Sequence, residues 1–266
     1  MLKLILVGLL AISPVFGKSI ILEESNMVVM DQDFNASSTS KVIKDIMELA
    51  KDLKSPKDIY LVLSSPGGEI GVGLMMIDTL NSIPNIKVHT VTLFAASMGF
   101  ITVQGLGDRL ITPSGTLMTH KAKGGFQGEF PGQLDSRYNY YLRRLARLDK
   151  NVIKRSGGIH TLKSYQDLME NEYWCEGQDC VNQGFADSVI NLSCGKSLIK
   201  DVIEDIVINF FGMAAKVTVK RSRCPLILGV EQIKAEINGK PYNFKNPLIN
   251  EHINKGLNHR FHKGLK

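Results

Sequence analysis

The chain has 266 residues, 44% of them hydrophobic, enough for one α/β domain with a sizeable core and an appendage. Its net charge of +6 is concentrated late: from residue 216 onward there are eleven Lys and Arg against three Glu, so the first 215 residues are slightly acidic. Without an aromatic stacking platform or a reader motif, that basic tail argues against a specific nucleic-acid binder and reads as a solvated tail drawn to acidic surfaces. Internal repeats and low-complexity tracts are absent, and with no Cys-x-x-Cys there is neither a zinc ribbon nor a dithiol redox motif.

In chain order, residues 1–17 stand apart. Lys3 supplies a short positive region, residues 4–12 an apolar run, and Val15-Phe16-Gly17 small-residue cleavage chemistry. That is the pattern of a secretory signal peptide, because the run is well short of the about 20 apolar residues a membrane span needs. A buried or anchoring helix is the alternative. A strand is expected at 27–30, then a helix at 41–53 with Val42, Ile43, Ile46, Met47, Ala50 and Leu53 on one face behind a Ser/Thr capping run. The apolar run 59–63 reads as a buried strand. After it come a helix at 70–83, a strand at 86–92, a helix at 97–106 and short strands at 109–111 and 116–119. Buried strands alternating with helices predict a mainly parallel sheet, in which chemistry sits at the carboxyl ends of the strands. Residues 133–155 read as a long charged helix, with Arg143, Arg144, Arg147 and Lys150 among Leu142, Leu145 and Leu148. The strongly apolar segment 198–213 is expected to be an amphipathic helix packed on the core or on a neighbour, with membrane-surface contact as the alternative. Pro225, Pro241 and Pro247 make the tail irregular, and 217–219 and 226–230 are expected to add short strands.

Three short segments carry chemistry: Ser65-Pro66-Gly67-Gly68, Ala95-Ala96-Ser97-Met98-Gly99 and Met118-Thr119-His120. A serine hydroxyl is a poor nucleophile at neutral pH and needs a base within hydrogen-bond reach, for which histidine has the suitable pKa. Ser97 is therefore the candidate nucleophile and His120 the candidate base. A tetrahedral intermediate also needs prearranged donors. Glycine lets a backbone N–H approach closely at Gly68, and Met98 offers one of the first, unpartnered N–H groups of a helix. Each segment has a plainer reading, as a small residue at a tight helix start, a satisfied histidine or a Pro-Gly turn; their order and spacing together favour chemistry. The histidines at 89, 160, 252, 259 and 262 show no metal-ligand spacing and are expected to face solvent, so neither metal nor cofactor is expected.

In that order and spacing the residues resemble the proteolytic subunit of the Clp protease, the ClpP family of self-compartmentalised serine peptidases. The resemblance runs from about Met27 to near Val189. It implies an α/β fold, a crotonase-like spiral of ββα units with a long handle helix, to which a C-terminal extension is a family-atypical addition. The implied division is a signal peptide at 1–17, a peptidase domain at 18–194 and an extension at 195–266. The family pattern carries the nucleophile onto Ser97, the base onto His120 and the oxyanion donors onto Gly68 and Met98. Gly124-Gly125-Phe126-Gln127-Gly128 matches the family's glycine-rich stretch, making Gly124, Gly125 and Phe126 candidate peptide-binding residues. The helix after it interdigitates between rings in the family, which implies a homo-oligomer. Two departures stand out. Leu93-Phe94 occupy the approach where the family usually has a glycine. Counting back from Gly184-Phe185-Ala186-Asp187 puts Glu172 at the place of the triad aspartate. Glutamate can orient and charge-stabilise histidine as aspartate does. Asp167 and Asp179 are competing acids, Asp187 matches a structural position of the family, and a merely solvated Glu172 is the plainer reading.

Cys175, Cys180, Cys194 and Cys224 form an even set suited to disulfides in an oxidising compartment. Three pairings are open, and a bridge between Cys175 and Cys180 would close a small loop beside Glu172. With the leader, they place the chain outside the cytoplasm, in a periplasmic or extracellular setting that lacks ATP and the family's unfoldase. The expectation is an ATP-independent serine endopeptidase acting on peptides or loosely folded proteins. A catalytically inactive scaffold or binding ring is the alternative from another class. A signal-peptide-peptidase-like Ser-Lys protease would have to use Lys121 or Lys123, both poorly placed. An acyl-CoA hydratase of the crotonase type has no need for the Ser/His pair.

Overall fold

A computed structural model describes residues 18–51, 57–227, 230–243 and 245–261, so the leader expected at 1–17 lies outside the described residues. The chain opens with β1 (Lys18–Leu22), β2 (Met27–Met30), α1 (Ala36–Ala50), β3 (Lys57–Ser65), α2 (Ile70–Ser82), β4 (Ile86–Ala96), α3 (Met98–Gly105) and β5 (Arg109–Thr119). After the long α4 (Gly132–Arg155) come α5 (Leu162–Leu168), β6 (Tyr173–Glu176), α6 (Gly177–Asn182) and β7 (Ser188–Cys194). The strands form one sheet in the order β1-β7-β5-β4-β3-β2, parallel throughout, with the short β6 added antiparallel to β5. Ile59, Leu61, Val62 and Leu63 are all buried, without alternation, because both faces of β3 are covered. One face packs under the helices through Val42, Ile46, Met76, Leu80 and Val103. The other holds Leu22, Val62, Val91 and Ile190, closed by Leu198 and Cys224 from farther along the chain.

Three boundaries differ from expectation for local reasons. The first helix starts at Ala36 rather than 41, because Asn35 caps it: its side chain accepts from the Ser37 and Ser38 N–H groups while Ser38 Oγ accepts from the Asn35 N–H. The Ser/Thr run is thus the first helical turn. The helix ends at Ala50, and Leu53 lies outside the described residues. β4 runs on to Ala96 because Leu93 is skipped in both ladders: Thr92 and Phe94 pair successively with Leu63 and Ser64 on one side, and with Ile111 and Thr116 on the other. A bulge of this kind bends a strand and re-aims the residues beyond it. The pieces expected at 109–111 and 116–119 are the two halves of β5 that pair with β4, interrupted around Pro113, which has no N–H to give.

The extension comprises β8 (Asp201–Phe210), β9 (Met213–Ser222), β10 (Val230–Ile237), β11 (Lys240–Tyr242) and α7 (Pro247–Phe261). The strands form an antiparallel sheet in the order β11-β10-β9-β8, on which α7 buries Ile253 and Leu257 against Ile206, Ile208, Val217 and Val219. The amphipathic helix expected at 198–213 is thereby overturned. Val202, Ile203, Ile206, Val207 and Ile208 are β-branched; Ile206 and Ile208 are buried while Val207 and Asn209 are exposed, a period of two. Phe211 and Gly212, both at positive φ, then turn the chain into a hairpin that pairs from Phe210↔Met213 to Asp201↔Ser222. The strand expected at 217–219 lies inside β9. That expected at 226–230 is met only at Val230, where β10 begins, and 228–229 lie outside the described residues. A Cys194–Cys224 disulfide and a Lys200–Glu24 ion pair of 2.9 Å tie the extension to the main sheet. No described helix is long and apolar enough to cross a membrane.

Two histidines expected at the surface are interior, His89 at 4% and His160 at 8% exposure. The imidazole of His89 sits 3.1 Å from both Asp58 and Asp108, while His160 stacks on Phe185 and meets the Gln183 carbonyl at 3.1 Å. Those partners make burial tolerable. His252 is partly buried against Phe210, and the side chains of His259 and His262 lie outside the described residues.

Candidate active site

Ser97 occupies the sharp joint between β4 and α3 with φ 55° and ψ −114°, a conformation costly for any residue but glycine. Its N–H donates to the Met118 carbonyl at 2.9 Å, and its own carbonyl accepts from Ile101 N at 3.1 Å. The joint is crowded, which is why its neighbours are small. A Cβ at Gly99 would come 3.3 Å from Ala95 Cβ, and one at Gly67 would come 2.6 Å from Ser97 Cβ and 2.9 Å from Met98 N.

His120 lies one residue beyond β5, whose end is pinned by a 2.9 Å hydrogen bond between the Thr119 and Tyr165 hydroxyls. Burial pushes the Tyr165 phenol far up, so it remains neutral and serves as an anchor. The Nε2 of His120 stands 2.9 Å from Ser97 Oγ. Burial lowers the His120 pKa, nearby Lys123 lowers it further, and Glu172 opposes both. The net effect keeps the imidazole neutral near pH 7 and ready to accept the serine proton. If Nε2 accepts, Nδ1 carries the hydrogen; yet Nδ1 is buried and without a hydrogen-bond partner among the described residues. A buried unsatisfied N–H costs about 1–3 kcal/mol.

The acid that acts on His120 by charge is Glu172. In the β5–β6 ladder Leu117 pairs with Cys175, Met118 with Trp174 and Thr119 with Tyr173, which leaves His120 and Glu172 as the residues just past its last pair. Glu172 itself has φ 63°, ends the ladder, and directs Oε1 to Lys123 Nζ at 3.5 Å rather than to His120. The competing acids are engaged elsewhere. Asp167 pairs with Lys163 at 2.7 Å, Asp179 accepts from the Tyr173 hydroxyl at 3.4 Å, and Asp187 is bound by buried Arg109. Lys121 pairs with Glu170, so neither Lys121 nor Lys123 is the partner of Ser97. A disulfide between Cys175 and Cys180, both buried, fastens β6 to α6 just beyond Glu172.

Gly67 and Gly68 form the opposite wall. Phe34 N donates to the Gly67 carbonyl and Glu69 N to the Phe34 carbonyl, both at 2.8 Å, an isolated parallel bridge of Phe34 with Gly68. In that pattern the N–H of Gly68 points away from Phe34. Gly68 has φ +147°, and a Cβ there would lie 2.4 Å from the Phe34 carbonyl oxygen, so no larger residue fits. Met98 is the first residue of α3, where helix geometry leaves its N–H without an intrahelical acceptor. Gly124, Gly125 and Phe126 lie in the exposed stretch after His120; nothing would touch a Cβ at either glycine, and Phe126 leans on Tyr141 of α4 with ring centroids 4.9 Å apart. Phe34, and the pairing of Lys123 with Glu172, were not visible in the sequence because each contact spans tens of residues with no local pattern to mark it. Among the described residues no group of three or more His, Cys, Asp or Glu is arranged to hold a metal ion.

A parallel α/β sheet presenting a Ser–His pair at the carboxyl ends of adjacent strands defines a serine-type peptidase at the level of its family. The family profile "Clp protease" matches residues 17–193, and the chain belongs to the Clp protease family. It is 32% identical over 139 residues to the ATP-dependent Clp protease proteolytic subunit of Streptococcus uberis (strain ATCC BAA-854 / 0140J), covering 50% of this chain and 69% of that one. The subunit of the same name from Streptococcus mutans serotype c (strain ATCC 700610 / UA159) is 31% identical over 138 residues, with the same coverage. Members of this family form oligomers and act on peptide or protein substrates. The matched region stops short of β8, leaving the antiparallel sheet outside it.

Proposed function

We propose that the protein is an exported serine endopeptidase that hydrolyses peptide bonds in peptides or unfolded proteins without ATP. The observation that carries this reading is the 2.9 Å approach of His120 Nε2 to Ser97 Oγ at a strained strand-to-helix joint. In this reading Ser97 Oγ gives its proton to Nε2 and attacks the carbonyl carbon of the scissile bond. The resulting oxyanion is met by the N–H groups of Gly68 and Met98, of which one such donor is worth about a hundredfold to a thousandfold in rate. His120 then hands the proton to the departing amine, and water attacks the acyl-serine by the same route in reverse. Glu172 acts as the third member once its carboxylate turns to Nδ1. The peptide backbone lies along Gly124, Gly125 and Phe126.

Export is supported by the charged and apolar pattern of residues 1–17 and by two disulfides, which persist in oxidising compartments. The named relatives are ATP-dependent; an exported member works where ATP is not supplied. Assembly is supported by α4, whose Tyr138, Tyr140, Tyr141 and Leu142 are exposed. The test is fluorophosphonate labelling of the oxidised chain beginning at Lys18, without ATP, beside Ser97→Ala, His120→Ala and Glu172→Ala, with assembly monitored by sizing. Labelling lost in the first two variants supports the reading. A folded, assembled wild type that takes no label refutes it. The unpartnered Nδ1 favours the second reading, a binding ring without turnover, and the same experiment separates the two.

A further inference from the structure

We propose that Lys123 is a positioning residue that governs the catalytic group by holding Glu172 away from His120. This control rests on Ser97 and His120 acting as the reactive pair. The Nδ1 of His120 is buried and lacks a hydrogen-bond partner among the described residues, although the ring's other nitrogen is committed to Ser97. Glu172, which lies just past the last β5–β6 pair and acts on His120 by charge, has its Oε1 3.5 Å from Lys123 Nζ.

The two destinations open to the Glu172 carboxylate differ in kind. Lys123 is 78% exposed and Glu172 40%, so their attraction is weakened by water and by salt. His120 is half-buried with its Nδ1 atom out of solvent, so a carboxylate there would answer an unpaired N–H while giving up part of its own hydration. Glu172 can exchange one for the other by turning about its side-chain torsions. The strand that follows it is held meanwhile by the β5–β6 ladder from Tyr173 onward and by the Cys175–Cys180 disulfide. The chain therefore has a latent arrangement, with Glu172 on Lys123, and an engaged one, with Glu172 on Nδ1. No proton or covalent bond is exchanged in passing between them.

The test compares fluorophosphonate labelling rates of wild type, Lys123→Ala, Glu172→Gln and the double variant, at low and high salt, with thermal unfolding to confirm folding. Breaking the exposed pair is expected to speed labelling by about twofold to fivefold. Raising salt brings wild type toward Lys123→Ala, and Lys123→Ala has no effect in the Glu172→Gln background. A labelled wild type with an unchanged Lys123→Ala rate overturns the inference and leaves the peptidase reading standing. So does an acceleration that persists with Glu172→Gln, because that is Lys123 acting on His120 directly by charge. Should no form take label, the peptidase reading fails and the cycle is read from the His120 titration by NMR in a folded Ser97→Ala chain. A Lys123→Ala shift that changes with Glu172→Gln then supports the coupling, and one of equal size in both backgrounds overturns it.

Discussion

Replacing Gly67 with alanine tests whether the position of Ser97 depends on a bare backbone beside it. The added methyl would sit 2.6 Å from the Ala96 carbonyl oxygen, 2.6 Å from Ser97 Cβ and 2.9 Å from Met98 N, all well inside van der Waals contact. None of these is the far end of a flexible side chain, so the crowding is relieved only by shifting the β4–α3 joint. Gly67 also has φ +98°, which an L side chain rarely adopts. Backbone strain of about 1–3 kcal/mol and overpacking of about 1–3 kcal/mol together predict a loss of about 2–6 kcal/mol. At about 2–4 °C per kcal/mol for a chain of this size, the midpoint of thermal unfolding falls by at least about 4 °C. Where the structure yields instead, Ser97 moves by roughly an ångström and labelling slows by about a hundredfold. Gly71 in α2, where nothing lies within 4 Å of an added Cβ, is the control: Gly71→Ala should hold or slightly raise the midpoint. A Gly67→Ala chain with wild-type Tm and wild-type labelling would show that the joint does not depend on the missing side chain.

Other measurements bear on the network around the site. Replacing Cys194 and Cys224, separated by 30 residues, is expected to cost about 3.6 kcal/mol by loop entropy, against about 2 kcal/mol for Cys175 and Cys180 at a separation of 5; denaturant titration reads both, and the reverse order contradicts the account. Asp187→Asn removes the charge facing buried Arg109, whose Nε lies 3.0 Å from Asp187 Oδ1. The cost is about 1–2 kcal/mol, less than for a fully buried pair because Asp187 is 40% exposed and Arg109 keeps Gln104 and Gly184; a loss under about 0.5 kcal/mol in urea unfolding counts against it. Because burial first and Lys123 second lower His120, the acidic limb of kcat/KM for peptide cleavage should lie below the ordinary histidine pKa of about 6.5. The unfolded chain takes up that proton more readily, so the stability His120 contributes is present above that pH and is lost as pH falls through it. A limb at or above pH 7 overturns the assignment of cause.

Much of this was legible because it is written in local pattern. The run 59–63 and its neighbours announce buried parallel strands, since a strand covered on both faces must be apolar throughout. Ser97 and His120 stand out because a Pro-Gly-Gly turn, a small-residue run around a serine and a histidine follow one another in the order and spacing of the family the chain resembles. The segment 198–213 misled for the opposite reason: a short apolar stretch without its partner strand looks alike as helix or sheet, and only the hairpin with β9 and the cover of α7 decide it.

Local sequence was sufficient to specify the parallel α/β sheet, the Ser–His pair and the glycines beside it, because each depends on residues near one another in the chain or on side-chain chemistry alone. Packing settled the rest: which cysteines join, that His89 and His160 are interior, that Leu93 bulges out of β4, and that Glu172 leans on Lys123. Those outcomes turn on contacts between segments far apart in sequence. Their geometry is set by how the layers pack, and no local periodicity encodes it.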